Sequence, residues 1–368
     1  MKEYRRICAD IDLDALTHNL DEIHRCIRKE TKIIAVVKAD GYGHGAVPLA
    51  EVMEKREDVW GYAVATPEEA EELYTNGIKK PILILGYTFP EYDAQIVQEN
   101  LRPAVFSLIR AKQLSEEAMR QDKICKIHIK LDTGMHRLGF TPDEIPELIE
   151  RLKKQTAVIP RSVFSHLVGS DAEQFDSFTR RQIEAFERAS QELQEAFPHK
   201  ILRHICNTAG IERYPGAQFD MVRLGIGLYG VDPFTNKIIH NVSTLKTTIL
   251  QIHDVPKEET VGYSRKGHLE RDSRIAAIPI GYADGLNRKL GNGNAYCLVN
   301  GQKAPYVGNI CMDVCMIDVT DIDCKEGDKA VIFGDDLPVT VLAEILRTIP
   351  YEILTSVSNR VKRVYYQD

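Results

Sequence analysis

Eight short apolar runs alternate with charged, helix-like segments over residues 33–230, and this alternation constrains the fold more than any other feature of the chain. The segments between the runs include PEEAEELYTNG and the long EQFDSFTRRQIEAFERASQELQEAF. The apolar runs are IIAVVK (33–38), WGYAVAT (60–66), PILILGY (81–87), RPAVFS (102–107), CKIHIKLD (125–132), PRSVFSHL (160–167), LRHICN (202–207) and MVRLGIGLYG (221–230). Strands that alternate with helices in this way form right-handed βαβ units and a parallel sheet.

Two architectures accommodate such a sheet. Eight strand–helix units within about 220 residues fit a TIM-type (β/α)8 barrel, whose helices cover the outside of a closed parallel sheet. A doubly wound open sheet is the alternative, but no GxGxxG fingerprint opens a helix after the first strand. An amphipathic segment over residues 16–27 precedes the first run. We therefore expect an α/β fold that begins with a (β/α)8 barrel.

The pattern changes from about Asn241 onward, where short strand-like runs follow one another with few helical gaps. These runs are KTTILQIHDV, SRIAAIPIGYA, AYCLVNGQKAPYV, CMIDVTDI and KAVIFGDD. The NGQ sequence at 300–302 indicates a hairpin turn, and only VTVLAEILRTI (339–349) has a helical pattern. We expect two domains, a barrel over residues 1–240 and a mainly β C-terminal domain over residues 241–368, the latter of ordinary domain size.

Composition limits the classes of partner. The 368 residues carry a formal net charge of −7, which argues against nucleic acid or an anionic membrane as the main partner. No apolar run approaches the about 20 residues that a membrane helix needs. The eight cysteines include no CxxC pair, so we expect reduced thiols in a cytoplasmic protein. The spacing of histidine and cysteine predicts no metal site.

Lys38 ends the first apolar run and precedes a glycine-rich turn, ADGYGHG. The carboxyl ends of barrel strands meet at the face where barrel enzymes keep their active sites. Further polar residues fall at the ends of later strands: Lys130, Arg137, His166, Asn207, Thr208 and Arg223. Each of these residues alone would be an ordinary polar residue at the end of a strand. A cluster of basic residues on one rim of the barrel, however, indicates an anionic ligand. Barrels often hold a phosphate in the loops after strands seven and eight. A lysine beside a phosphate site suggests Schiff-base chemistry with pyridoxal 5′-phosphate (PLP).

Six motifs then carry a family resemblance. They are AVVKADGYGHG, KLDTGMHRLGF, VRLGIGLYG, VGYSRKG, PIGYADG and GNICMD. In this order they resemble the successive motifs of the alanine racemases, PLP enzymes built from a barrel and a β domain. The resemblance covers essentially the whole chain. It implies a homodimer in which the β domain of one subunit completes the active site of the other.

The resemblance also implies two catalytic residues. Lys38 matches the lysine that binds PLP through a Schiff base and then acts as one acid/base group. Tyr263 matches the tyrosine that the partner subunit contributes as the opposite base. Racemisation removes the α-proton from one face and returns a proton to the other, so one rigid base cannot easily serve both faces. A free tyrosine has a pKa of about 10, and residues matching His166 and Arg223 supply the positive charge that lets it act as a base.

Arg223 resembles the arginine that hydrogen-bonds the pyridine nitrogen of PLP. Most PLP enzymes place a carboxylate there, which keeps the nitrogen protonated. An arginine leaves the pyridine nitrogen unprotonated, so the ring is a weaker electron sink. This weaker delocalisation disfavours transamination. The related barrel decarboxylases use a glutamate at this position.

The remaining matches concern the phosphate and the substrate. The cofactor phosphate set is Tyr42, Asn207, Thr208, Gly225 and Ile226. The substrate set is Arg137, Met312, Asp313 and Tyr282, of which the first two hold the carboxylate and the last narrows the entrance. Lys130 matches a lysine that is often carbamylated in the family, and the added negative charge would orient Arg137.

Two positions depart from the family pattern. Gly41 replaces an alanine within the first motif, a change that a turn tolerates. Asn359 stands where some members carry a tyrosine that binds the phosphate, and we assign it no role.

Three functions follow. The first is alanine racemisation, which supplies D-alanine for peptidoglycan. The second is a racemase for serine or for a broader set of small amino acids, because a hydroxymethyl group differs little from a methyl group to a pocket. The third is a non-catalytic PLP-binding barrel protein, which predicts neither a second domain nor Tyr263.

Overall fold

The computed structural model describes residues 6–367. The described part begins with strand β1 (Ile7–Asp12) and helix α1 (Leu13–Cys26), and this helix contains most of the amphipathic segment noted at 16–27. Asp12 caps α1, since its carboxylate accepts hydrogen bonds from two backbone N–H groups of the first turn. Such a cap satisfies donors that the helix itself leaves without partners.

The predicted (β/α)8 barrel is confirmed. Its eight parallel strands are β2 (Lys32–Val36), β3 (Val59–Val64), β4 (Ile82–Ile84), β5 (Arg102–Val105), β6 (Cys125–Lys130), β7 (Val158–Phe164), β8 (Leu202–His204) and β9 (Met221–Leu224). They pair in the order β8-β7-β6-β5-β4-β3-β2-β9. Backbone hydrogen bonds from Asp220 N to Arg203 O (3.1 Å) and from Arg223 N to Cys206 O (2.9 Å) join the last two strands. The sheet is therefore nearly closed.

Helices cover the outside of the barrel. The segment labelled α2 (Lys38–Gly43), which follows β2, has left-handed φ and ψ at residues 39–42 and does not belong to this outer layer. The helices are α3 (Ala46–Met53), α4 (Pro67–Thr75), α5 (Asp93–Gln98), α6 (Leu108–Arg120), α7 (Ile145–Lys153), α8 (Asp176–Ala196) and α9 (Thr208–Arg213). Because helices pack against the outer face, strand residues are buried on both sides, and Ile33, Ile34 and Ala35 are each fully buried. This burial explains why the strands appear in the sequence as continuous apolar runs.

A buried ion pair fastens the helices on one side of the barrel. Arg110 on α6 donates to both carboxylate oxygens of Asp93 on α5, and to the hydroxyl of Thr88 at 3.1 Å in the segment after β4. The side chains of the pair are only 4% and 8% exposed. Its partners come from two successive βα units, β4–α5 and β5–α6, so it fixes their relative positions.

The C-terminal part is mainly β, as predicted. Strands β10 (Val231–Asp232) and β11 (Lys237–Ile238) form a separate two-stranded sheet before it. The strands of the C-terminal part are β12 (Ser243–Thr248), β13 (Gln251–Val255), β14 (Thr260–Val261), β15 (Gly267–His268), β16 (Ser273–Ile278), β17 (Tyr296–Val299), β18 (Gln302–Val307), β19 (Cys315–Asp318), β20 (Lys329–Phe333) and β21 (Lys362–Tyr366). The predicted hairpin joins β17 to β18 through Asn300 and Gly301, both with positive φ. Two helices occur here, α10 (Val339–Leu346) and α11 (Pro350–Ser356), so the expectation of one helix was wrong. The short PYEILTS run has too few turns to show helical periodicity.

Strand β1 belongs to the C-terminal sheet and not to the barrel. The nine-stranded sheet has the order β13-β16-β19-β18-β17-β20-β12-β1-β21, with β1 antiparallel to β12 and parallel to β21. Residues of β1 therefore belong to the C-terminal sheet although they precede the barrel in the sequence. A single domain boundary near residue 240 does not describe this arrangement. Residues 1–5 and 368, which the expected domain ranges include, lie outside the described residues.

Several short 3₁₀ turns lie at loop ends. They are Pro90–Tyr92, Pro142–Glu144, Glu173–Phe175, Pro215–Ala217, Ile226–Tyr229, Tyr263–Arg265, Tyr282–Asp284 and Arg288–Leu290. Three of them begin at residues that the sequence analysis assigned to the site. In the part of the chain that the structure covers, no helix has the length and apolar character to cross a bilayer.

The Asp93–Arg110 pair predicts a large stability effect. Asp93→Ala leaves a buried guanidinium uncompensated, so we expect the free energy of unfolding to fall by about 3–5 kcal/mol. Chemical denaturation measures this change. As a control, Glu147→Ala removes the partner of Arg151 from a pair with 57% exposed side chains, where a change of about 0.5 kcal/mol or less is expected. Equal losses in both variants would contradict the structural role of the buried pair.

Candidate active site

A left-handed turn follows the first barrel strand. Ala39, Asp40, Gly41 and Tyr42 all have φ between 51° and 60° and ψ between 40° and 52°. For residues other than glycine this conformation costs about 1–2 kcal/mol each. Strain of this kind persists only where the surroundings hold it, and it concentrates at functional sites.

Contacts from several elements hold this turn. The Val37 carbonyl oxygen accepts a hydrogen bond from Gly41 N at 2.8 Å, and the Asp40 carboxylate accepts one from Ala46 N at 2.9 Å. Gly43 has φ +82°, and a Cβ there would lie 2.4 Å from the carbonyl oxygen of Leu354 on α11. The glycine-rich sequence after Lys38 is therefore required by a positive φ and by close contact with the C-terminal helix.

The turn directs Lys38 and Tyr42 toward a cavity of about 220 Å³ at the carboxyl ends of the barrel strands. Ten residues that the sequence analysis assigned to the site line it: Lys38, Tyr42, Lys130, Arg137, His166, Asn207, Thr208, Arg223, Gly225 and Ile226. The structure therefore brings together side chains that are up to 188 positions apart in the sequence.

The cavity is strongly cationic. Lys38, Lys130, Arg137 and Arg223 line it, and no carboxylate is found among the described residues of its wall. Burial, and then the charge of Arg137, lowers the pKa of Lys38. Burial also lowers the pKa of Lys130 to about 7, with Arg223 and Arg137 acting in the same direction. Unpaired cations in a partly buried site favour an anionic ligand.

His166 faces the same charges. Burial, followed by the positive charge of Arg223, holds the pKa of His166 well below its ordinary value, so the ring is neutral. A neutral imidazole beside a guanidinium acts as a hydrogen-bond acceptor. Within residues 6–367 no cluster of three or more His, Cys, Asp or Glu side chains could hold a metal ion.

Arg223 is held by backbone oxygens. Its Nη2 donates to Ser165 O at 2.7 Å and to Ile205 O at 3.0 Å, and its Nη1 donates to His204 Nδ1 at 2.7 Å and to His204 O at 3.3 Å. A guanidinium has five N–H groups. Its Nε–H has no hydrogen-bond acceptor among the described residues, and Arg223 lines the cavity. One cationic donor is therefore left for a ligand.

The loops after β8 and β9 meet through Thr208. Its hydroxyl accepts hydrogen bonds from Gly225 N at 3.2 Å and from Gly227 N at 3.3 Å. A Cβ at Gly225 would lie 3.2 Å from the Tyr42 hydroxyl, which places that hydroxyl beside the same loop. Four members of the expected phosphate set therefore lie side by side, with Asn207 capping the helix that Thr208 begins.

The sequence analysis missed two aromatic residues of this wall, Phe164 at the end of β7 and Tyr351. Tyr351 on α11 lines the cavity, and its ring centroid lies 5.7 Å from that of Tyr42. It was missed because the helix that carries it was missed. Asn359, by contrast, is exposed and is not part of the cavity wall.

The remaining predicted residues lie on the β domain, outside this cavity. Tyr263 is 71% exposed and Met312 is 53% exposed. Tyr282 N donates to Cys311 O at 3.0 Å, and Asn309 Nδ2 donates to Tyr263 O at 3.2 Å, so both tyrosines flank the segment around residue 311. Asp313 pairs with Arg360 at 2.6 Å. The described residues thus form a cavity at the carboxyl ends of the barrel strands and, outside this cavity, a group of exposed side chains on the β domain.

Comparison with known proteins identifies the family. A family model described as "Alanine racemase, N-terminal domain" matches residues 11–233, and one described as "Alanine racemase, C-terminal domain" matches residues 242–365. The chain belongs to the alanine racemase family. The expectation from the sequence motifs is thereby confirmed.

Similar proteins span the whole length of the chain. Alanine racemase 2 of Caldanaerobacter subterraneus subsp. tengcongensis is 40% identical, with 99% of this chain and 95% of that protein aligned. The solved alanine racemase of Clostridium difficile 630 is 36% identical with a TM-score of 0.93, covering 99% of this chain and 97% of that one. The alanine racemase of Bartonella henselae "with covalently bound pyridoxal phosphate" is 30% identical with a TM-score of 0.88, covering 99% and 100% of the two chains.

Two features of the cavity fit PLP. The cofactor is an anion through its phosphate, and the wall carries two lysines, two arginines and no carboxylate among the described residues. Its ring nitrogen accepts a hydrogen bond when unprotonated, and the Nε–H of Arg223 is a donor without a protein acceptor in the described part of the chain. The residues present therefore fit the cofactor of the alanine racemase family.

Proposed function

We propose that this chain interconverts L- and D-alanine with PLP as cofactor, and that the D-alanine supplies peptidoglycan synthesis. The observation that carries the proposal is the convergence of Lys38, Arg137, His166 and Arg223 on one cationic cavity in a member of the alanine racemase family. Position of these side chains at the carboxyl ends of the barrel strands is typical of barrel enzymes.

Lys38 has the properties that covalent attachment of PLP requires. The nucleophilic form of a lysine is the neutral amine, and burial lowers the pKa of Lys38. When bound, PLP stabilises the negative charge left on the substrate Cα after proton removal. Tyr42, Asn207, Thr208, Gly225 and Ile226 are the residues that we assign to the phosphate, because they line one side of the cavity.

Arg223 would donate its Nε–H to the ring nitrogen. Burial lowers the pKa of Arg223 to about 10, so the guanidinium stays charged near neutral pH. It can therefore donate a hydrogen bond to the ring nitrogen but cannot accept one from it. A carboxylate at this position would keep the ring nitrogen protonated instead. The arginine therefore weakens the electron sink and favours proton transfer over transamination.

Two atoms would move the α-proton, Lys38 Nζ on one face and Tyr263 Oη on the other. The Tyr263 side chain lies outside the cavity of its own chain and is 71% exposed. We propose a homodimer in which Tyr263, Tyr282, Met312 and Asp313 complete the partner subunit's cavity. Exposure of aromatic and methionine side chains on one face supports this assembly.

The substrate carboxylate would be held by Arg137, which lines the cavity, and by the backbone N–H of Met312 from the partner subunit. Tyr282, which is 45% exposed, would narrow the entrance. The second candidate, a serine or broad-specificity racemase, uses the same residues.

The eight unpaired thiols of the described chain support a reducing compartment, and we propose the cytoplasm.

A chiral assay tests the substrate. Purified protein with PLP is given L-alanine and L-serine in separate reactions, and D-amino acid is quantified by chiral chromatography. We expect rapid D-alanine and slow D-serine formation. A serine rate equal to or above the alanine rate would transfer the assignment to the second candidate. Absence of turnover, together with a PLP absorbance band that Lys38→Ala abolishes, would leave a cofactor-binding protein without racemase activity.

Mixing of subunits tests the shared site. Lys38→Ala and Tyr263→Phe should each lower kcat by about 10²–10⁴-fold, as expected for loss of an acid/base group. An equimolar mixture, allowed to exchange subunits, should regain activity, because each mixed dimer has one cavity with an intact Lys38 and the partner's intact Tyr263. A mixture as inactive as its parents, after mass spectrometry has shown exchange, would mean that each chain supplies its own tyrosine.

Lys130 supports a further proposal, carbamylation by CO₂. The neutral amine reacts with CO₂, and with a pKa of about 7 the neutral form prevails as pH rises above that value. The resulting anion would lie beside Arg137 and relieve the repulsion between cations. We expect a carbamate signal in ¹³C NMR after addition of labelled bicarbonate, growing as pH rises through about 7. It should vanish in Lys130→Ala and persist in Lys153→Ala, which alters an exposed lysine. Equal signals in both variants would contradict the assignment.

A further inference from the structure

A chain of buried hydrogen bonds runs from Arg223 into the barrel interior. Arg223 Nη1 lies 2.7 Å from His204 Nδ1, His204 Nε2 lies 3.0 Å from the Ser162 hydroxyl, and that hydroxyl lies 2.5 Å from His128 Nδ1. His204, Ser162 and His128 have no exposed surface. They lie on the adjacent strands β8, β7 and β6, below the cavity floor that Arg223 forms.

The direction of the hydrogen bonds in this chain is assigned starting from the contact between Arg223 and His204. Arg223 has only N–H donors, so His204 Nδ1 must be the acceptor and carries no proton. Burial and the charge of Arg223 hold the pKa of His204 well below its ordinary value, so the ring is neutral and its proton is on Nε2. His204 Nε2–H therefore donates to the Ser162 oxygen.

The tautomer of the second histidine, His128, is assigned from the next hydrogen bond in the chain. With His204 donating to the Ser162 oxygen, we assign the single hydroxyl proton of Ser162 to the hydrogen bond with His128 Nδ1, which then accepts. Burial lowers the pKa of His128 to about 3, so this ring is also neutral and carries its proton on Nε2. His128 Nε2 is a buried atom without a hydrogen-bond partner among the described residues. In this order of protons the Nε2–H of His128 is a buried donor without an acceptor in the described part of the chain.

We propose that Ser162 and His128 are positioning residues for Arg223, which hold His204 in the tautomer whose Nδ1 accepts from the guanidinium. This contact, the His204 carbonyl oxygen that also accepts from Nη1, and the two backbone acceptors of Nη2 use four of the five N–H groups and leave Nε–H for the cavity. The orientation of the remaining donor thus depends on a serine that does not line the cavity. In its last step the inference rests on the proposed function, because that step assigns the donor to PLP.

Loss of the Ser162 hydroxyl has a defined consequence. His204 Nε2–H would become a buried donor without an acceptor, which is unfavourable. The other tautomer would restore no acceptor for Arg223, because it places an N–H against an N–H. Neither state of the ring holds the guanidinium as the hydroxyl-bridged state does, so Arg223 becomes less well oriented.

The first measurement concerns the rings themselves. In protein labelled with ¹⁵N-histidine and saturated with PLP, NMR of the ring nitrogens distinguishes the two neutral tautomers and the cation. We expect His204 and His128 both as neutral Nε2–H tautomers, unchanged between about pH 5 and 8, where an ordinary histidine titrates. The variant His128→Asn assigns the signals. An Nδ1–H tautomer or a titrating ring at either position would overturn the inference.

The second measurement uses matched variants. Ser162→Ala should raise the dissociation constant of PLP, measured by fluorescence, about tenfold or more, and should leave His204 without a single tautomer. Ser162→Thr keeps a hydroxyl and should restore both properties. Ser190→Ala removes another fully buried hydroxyl, which donates to Glu187 O on α8 away from the cavity. It should lower stability without changing PLP affinity or the tautomer signals.

Two results would contradict the role of Ser162. One is a Ser162→Ala protein with wild-type PLP affinity and wild-type ring signals. The other is an equal loss of PLP affinity in Ser190→Ala, since the effect would then reflect general instability. Failure of the wild-type protein to bind PLP or racemise alanine would instead contradict the proposed function, and the ring signals would still decide the order of hydrogen bonds.

Discussion

The burial of a guanidinium without a carboxylate is the constraint on which the site depends. Arg223 is 4% exposed, and its described partners are carbonyl oxygens and neutral imidazole nitrogens. A buried charge is costly unless hydrogen bonds satisfy it. The ends of β7 and β8 must therefore keep their carbonyls aimed at the guanidinium that β9 carries, and the histidines beside it must remain neutral. A positive cavity floor is the result.

The C-terminal domain supports this site from within the same chain. The left-handed turn after Lys38 is held partly by residues of that domain, since His44 Nε2 lies 2.9 Å from the Ser243 hydroxyl on β12. Helix α11 contacts Gly43 through a carbonyl oxygen and places Tyr351 in the cavity wall. Because β1 pairs with β12 and β21, both ends of the chain are anchored in one sheet. The strain in the turn is thus balanced by contacts outside the barrel.

The accuracy of the sequence analysis differed between elements for physical reasons. All eight barrel strands were found, because strands covered by helices on one face and by the barrel interior on the other are continuously apolar. Helix α11 was not found, because a single short helix has no measurable period. The membership of β1 in the C-terminal sheet was not found either, since pairing with strands more than 200 positions away leaves no local signal.

The sequence by itself determined the alternation of strands and helices, the family motifs and the identity of the charged groups at the strand ends, because these depend on residue order and local pattern. Only the tertiary structure decided which groups share a cavity, that Tyr351 joins them, and that Ser162 links two buried histidines to Arg223. Tautomers and lowered pKa values arise from burial and from neighbours on other strands. Those neighbours exist only once the barrel has closed.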